Sequence, residues 1–102
     1  MATVIALYKT PADKAAFDKY YFSTHAPMAK KLEGLTKYEV STGEVASPAG
    51  ASGLHLVAIL TFESMAAIQA ALGSPHGQAV AADLGNFAQA GVDLLMFDTK
   101  VV

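Results

Sequence analysis

The chain contains no cysteine, which removes disulfides as a source of stability and thiolates as metal ligands or nucleophiles. Charge is scarce: Asp, Glu, Lys and Arg make up 16% of the 102 residues, against about 25% in an average soluble domain. The formal net charge is -2, and the seven basic residues are scattered apart from Lys30-Lys31. With no basic field, nucleic acid is not an expected partner. Long apolar runs are missing too. Val45 to Phe62 and Ser64 to Ala82 are uncharged, but Pro48, Gly50 and Gly53 interrupt the first and Ser74, Pro75 and Gly77 the second. Neither reads as a membrane span. The opening MATVIALYKT lacks the basic and long apolar regions of a signal peptide, so the expected location is cytoplasmic. Histidines occur only at 25, 55 and 76, without ligand spacing, and no metal is expected. No phosphate loop, dinucleotide fingerprint or nucleophile motif is present, so no cofactor is expected either.

What is abundant is apolar: 53% of the residues are hydrophobic, above the usual share of about 45 to 50%. A chain of this length makes one domain, residues 1-102, with one core. It has more apolar surface than a small domain hides readily. Without disulfides or a metal, association is the remaining remedy.

The apolar residues are patterned. Thr3 to Tyr8 alternates Thr3, Ile5 and Leu7 with Val4, Ala6 and Tyr8, apolar on both faces, as in a central strand. Thr10-Pro11-Ala12-Asp13 reads as a helix start with Thr10 as N-cap, and the helix is expected to run to about Phe22. Ser23-Thr24 offers a second cap for a short helix from His25 to Leu32, ended by Gly34. Leu35 to Thr42 has one wet face, Lys37, Glu39 and Ser41, which fits an edge strand. Val45 to Gly53 reads as a loop without periodicity. Leu54 to Phe62 is a strand apolar on both sides. Ser64 caps a helix over Met65 to Leu72, closed by Gly73; Ser74-Pro75 starts another with Val80, Leu84 and Phe87 as its stripe; Val92 to Thr99 is the last strand.

Strand, helix, strand, strand, helix, strand amounts to two split βαβ units. The predicted fold is α+β and ferredoxin-like, βαββαβ, with a four-stranded antiparallel sheet and its helices on one face. Strands one, three and four nevertheless carry apolar side chains on both faces. The economical cover for the bare face is a second copy of the chain, sheet against sheet, which predicts a homodimer.

Tyr20-Tyr21-Phe22, His25-Ala26-Pro27-Met28, Lys30-Lys31-Leu32 and Gly34-Leu35 to Tyr38 together resemble the signature of the EthD family, named for ethyl tert-butyl ether degradation. Phe62-Glu63-Ser64 and Leu72-Gly73-Ser74-Pro75 with Gly77 extend the resemblance over nearly the whole chain; Glu33 departs from it, where the family usually has proline. The resemblance implies the dimeric α+β barrel superfamily and an association with an oxidative, cytochrome-dependent pathway. Related members of that superfamily are isomerases, cofactor-free monooxygenases, dehydratases, decarboxylases and haem-degrading enzymes.

The candidate catalytic residues are His25 and Tyr38. At the start of a helix, His25 would be kept neutral by the positive end of the dipole and could serve as general base; the alternative is a structural residue tying two helices together. Tyr8, Tyr20, Tyr21 and His55 are the candidate ligand-binding residues. Tyr20 and Tyr21 are adjacent on a helix, so one of them turns inward as core. Tyr8 and Tyr38 are strand residues whose hydroxyls reach a cavity or only pack the sheet. His55, after the small-residue loop, is either a lid-side ligand or a surface residue. His76 is expected to face solvent, and is the one position an axial haem ligand would occupy. Three functions fit: an EthD-like protein binding a small apolar organic molecule, a cofactor-free acid/base enzyme using His25, or a dimeric assembly module. The first is the preferred reading.

Overall fold

The computed structural model describes residues 1-102. Strand β1 (Ala2–Lys9) lies between β5 (Leu54–Phe62) and β6 (Val92–Asp98), antiparallel to both, and β2 (Leu35–Val40) flanks β5, giving the order β2-β5-β1-β6. This is the ferredoxin-like sheet expected from the sequence. β1 and β5, apolar on both sides, take the two central places, and β2, with one wet face, takes an edge. Each ladder joins a strand that precedes residue 46 to one that follows residue 51.

Helices α1 (Lys14–Tyr20), α2 (Ala26–Ala29), α3 (Met65–Gly73) and α4 (Pro75–Asp83) cover one face. Against them pack Ala2, Val4, Ala6 and Tyr8 of β1 and Leu56, Ala58, Leu60 and Phe62 of β5, all buried. An aromatic cluster fills the α1 end. Tyr8 lies edge-on to Phe17 and Tyr21 at 5.4 and 5.6 Å, and Phe87 packs 5.3 Å from Phe17.

Three local expectations are corrected. Thr10 does not cap α1: its amide and hydroxyl both donate to the Gly53 carbonyl, extending the strand, and the Asp13 carboxylate accepts the Ala16 amide as N-cap instead. The helix does not restart at a Ser23-Thr24 cap. Residues Tyr21–His25 form a π-helical turn, with the Ala26 amide reaching the Tyr21 carbonyl, and the chain runs without a break from α1 into α2. The Ser23 hydroxyl donates back to the Lys19 carbonyl rather than capping. Pro27 has no N–H to return to the preceding turn, and the wider π turn just before it accommodates that loss. Finally, the Val45 to Gly53 stretch holds a two-strand hairpin, β3 (Ala46–Ser47) with β4 (Gly50–Ala51).

Other signals are confirmed. Gly34 ends the first helical layer at φ +84°, where a side chain would be strained. Ser64 caps α3 through the Ala67 amide. Ser74 serves two helices: its hydroxyl donates to Ala71 O at the end of α3 (2.6 Å) and accepts the Gly77 amide at the start of α4 (3.0 Å). That turn is so tight that a Cβ on Gly77 would stand 1.9 Å from Ala71 O.

The opposite sheet face carries no helix, and the molecule is a slab of 35 × 35 × 17 Å. Ile5, Leu7, Val57 and Ile59 are only partly covered there, and Leu95 and Phe97 of β6 are 51% and 40% exposed. No helix is long and apolar enough to cross a membrane.

Candidate functional site

Between the helical layer and the sheet lies a cavity of about 90 Å³ whose wall is apolar or aromatic at every position but one, His25. Val4, Ala6, Ala58 and Leu60 form its floor, and Leu94 and Met96 of β6, each about half exposed, stand at its margin. Four of the six candidate residues meet here: Tyr8, Tyr21, His25 and Tyr38.

The backbone explains why they converge. Tyr8 and Tyr38 sit on the helix-facing side of β1 and β2, in register with Leu56 and Leu60 of β5. Tyr21 opens the π turn and His25 closes it, both buried, so the wide turn aims the two rings inward from one stretch of helix. His25 is therefore interior to a continuous helical run, and the argument from a helix start does not apply to it. Its environment is set by Asp83 on α4: Nδ1 lies 2.9 Å from Asp83 Oδ2, both side chains buried. Because a carboxylate can only accept, Nδ1 carries the hydrogen, and in the neutral ring Nε2 is then the nitrogen with the lone pair. Nε2 has no protein partner, and the fold contains no fully buried unpaired side-chain N or O, so Nε2 opens on the cavity that His25 lines.

Asp83 is the residue that sequence reasoning missed. Beyond His25 it accepts the Tyr20 hydroxyl at 2.6 Å and the Asn86 amide at 2.9 Å. Burial alone would push its carboxyl up, but the hydrogen bonds from Tyr20, Asn86 and His25 outweigh burial and hold it below the usual carboxylate value. A signal was present: Asp83 stands three residues after Val80 and four before Phe87, a lone charge on an apolar stripe.

The hydroxyls of Tyr21 and Tyr38 lie 2.5 Å apart. Burial raises the Tyr8, Tyr21 and Tyr38 phenols, and their mutual proximity adds to the rise for Tyr8 and Tyr21. All three stay protonated at neutral pH. The remaining candidates lie elsewhere. Tyr20 is outside the cavity wall, its hydroxyl spent on Asp83. The register steps from Tyr8↔Leu56 to Lys9↔Leu54, leaving His55 as the extra residue of a bulge. His55 pairs with Asp18 at 2.7 Å and lies edge-on to Phe17, on the wall of a separate open cleft of about 720 Å³ beside the hairpin. His76, expected in solvent, is partly buried and donates from Nε2 to Met28 O at 2.8 Å, tying α4 to α2. No three His, Asp or Glu side chains gather as a metal set.

The model of the EthD domain matches residues 9–91 of this chain. The chain belongs to the EthD family. An uncharacterized 11.0 kDa protein of the thcB-thcC intergenic region of Rhodococcus erythropolis is 38% identical, covering 100% of this chain and 98% of that protein. The crystal structure of an EthD family protein from Bacillus halodurans superposes with a TM-score of 0.89 at 35% identity, over 98% of this chain and 99% of that one. More distant structures share the EthD chain's fold alone. SnoaB, a cofactor-independent oxygenase of Streptomyces nogalater, has a TM-score of 0.67 at 17% identity (99% and 94% covered). A dimeric ferredoxin-like protein of unknown function from Thermobifida fusca has a TM-score of 0.69 at 13% identity (96% and 90% covered).

Proposed function

We propose that this EthD-domain protein binds a small, largely apolar organic molecule in the 90 Å³ cavity and exchanges a proton with it through His25. The observation that carries the reading is the His25–Asp83 pair: a carboxylate fixes one ring nitrogen while the other opens on a small apolar cavity. Acid/base catalysis needs that combination, a positioned proton acceptor within reach of a substrate held out of water. A histidine that only tied helices together would have no need of a free nitrogen facing a cavity. Asp83 supports the role in the usual way, by setting the tautomer and stabilising the imidazolium once formed.

The tie to oxidative ether degradation reaches this chain through the family's name. Ethyl tert-butyl ether is itself small, apolar and uncharged, and serves as a first binding probe. Titration followed by NMR is expected to shift the resonances of cavity residues, the methyls of Leu94, Met96 and Val80 among them, together with the His25 ring. Shifts confined to the bare sheet face, or none, would sink the cavity as the binding site.

We propose further that the bare sheet face pairs with that of a second copy. Partly covered Ile5, Leu7, Val57 and Ile59 and exposed Leu95 and Phe97 form one continuous apolar surface, and a likeness of this fold is described as dimeric.

A further inference from the structure

The hydrogen-bonding polarity of the cavity constrains what enters it, if the site proposed above is the working one. Tyr21 and Tyr38 carry two hydroxyl hydrogens, and only one can span the 2.5 Å between their oxygens. Neither hydroxyl has another partner, and the Tyr8 hydroxyl, beside them on the same wall, has none. However the pair is arranged, one of its O–H groups, and that of Tyr8, are left without a hydrogen-bond partner in the fold. That end of the cavity calls for an acceptor on the ligand. His25 imposes the opposite demand, because Nε2 is a lone pair facing apolar space and calls for a hydrogen. No Lys, Asp or Glu lines the cavity, so a ligand carboxylate would be buried without a fixed countercharge, at heavy cost. The cavity of about 90 Å³, open at its β6 margin, admits only a small molecule; an apolar cavity of about 150 Å³ takes benzene.

We propose that the ligands of this cavity are small neutral carbonyl compounds bearing a hydrogen on the adjacent carbon, with the carbonyl oxygen among the Tyr8, Tyr21 and Tyr38 hydroxyls and that hydrogen toward His25 Nε2. The chemistry balances without oxidant or reductant. The C–H bond breaks, its electron pair moves onto the carbonyl oxygen as an enolate held by phenolic O–H donors, and the proton lodges on Nε2. If the proton on Nε2 is replaced from solvent before it returns to the same carbon, the result is hydrogen exchange; return to a conjugated carbon of an unsaturated substrate is double-bond isomerisation.

The test uses cyclopentanone with the wild-type protein in D2O, exchange of the adjacent hydrogens being followed by NMR. Methylcyclopentane, which lacks the acceptor, and cyclopentanecarboxylate, which carries charge, are titrated alongside. Cyclopentanone is expected to bind, with exchange faster than in buffer. His25→Gln is expected to cut that acceleration at least about a hundredfold. Tyr8→Phe should weaken binding about three- to tenfold, and the carboxylate should bind at least about tenfold more weakly than the ketone. If methylcyclopentane binds as well as the ketone, or exchange is unaccelerated or survives in His25→Gln, the ligand class is wrong while a small-molecule cavity stands. If none of the three compounds shifts the cavity resonances, both readings fall. The ligand comparison needs only wild-type protein, so a poorly folding variant leaves it decisive.

Discussion

A carboxylate buried between a helical layer and a sheet persists only when its oxygens are paired, and Asp83 meets that condition with three donors from three segments: Tyr20 at the end of α1, His25 at the end of the π turn and Asn86 just past α4. The pairing has a thermodynamic signature. Since the folded-state carboxyl is held below its ordinary value, its contribution is fully present above the unfolded value, about pH 4, and is lost as pH falls through the folded one. Asp83→Asn is therefore expected to cost about 1 to 3 kcal/mol at pH 7, with the gap from wild type narrowing below about pH 4. Urea midpoints from pH 7 to pH 2.5 check this; a gap that stays constant throughout would contradict it. Of the six residues that stood out by type, four line one cavity, because tyrosine and histidine are conspicuous in an apolar chain. Asp83 escaped because a lone acidic residue in a helix ordinarily faces water; its place on the apolar stripe hints otherwise, but the partners that hold it inside are 58 and 63 residues away.

At the scale of the element, what was legible was periodicity. Alternation marked all four strands of the sheet, and Ser64, Ser74 and Gly34 marked helix ends, since each acts on its own neighbours. The π turn was not legible, because Ser23-Thr24 before Pro27 spells a cap as readily as it spells a continuous helix. With the helix running on, both Tyr21 and His25 are buried. The place of His55 beside Asp18 likewise depends on a register step between two strands, which no single strand encodes. The α3–α4 corner gives a sharp test. Gly77→Ala puts a methyl against backbone that cannot rotate away, and is expected to cost about 3 kcal/mol. Gly73→Ala, four residues earlier, meets nothing within 4 Å and should be neutral or stabilising by up to about 1 kcal/mol. Urea unfolding of the two variants side by side checks the contrast; equal effects would mean that the corner relaxes.

On the scale of the whole molecule, the slab is only 17 Å thick and has one bare apolar side. The sequence pointed to that side through strands apolar on both faces, an argument needing no tertiary information. Phe97→Asp, far from the helix side of the sheet, is expected to leave the fold and cavity intact and to shift a dimer toward monomer by at least about tenfold in dissociation constant; sedimentation equilibrium measures this, and an unchanged association would remove Phe97 from the interface. The strand ladders have a different implication. β1 does not touch β2, nor β5 β6; every pairing in the sheet is between the first half of the chain and the second. His25 and Asp83 are divided the same way. During synthesis, then, the first half leaves the ribosome with no strand partner at all, and no rung of the sheet can close until β5 has emerged. The His25–Asp83 pair forms later still, when α4 arrives, so the nascent chain passes through a long interval in which it must be kept from aggregating.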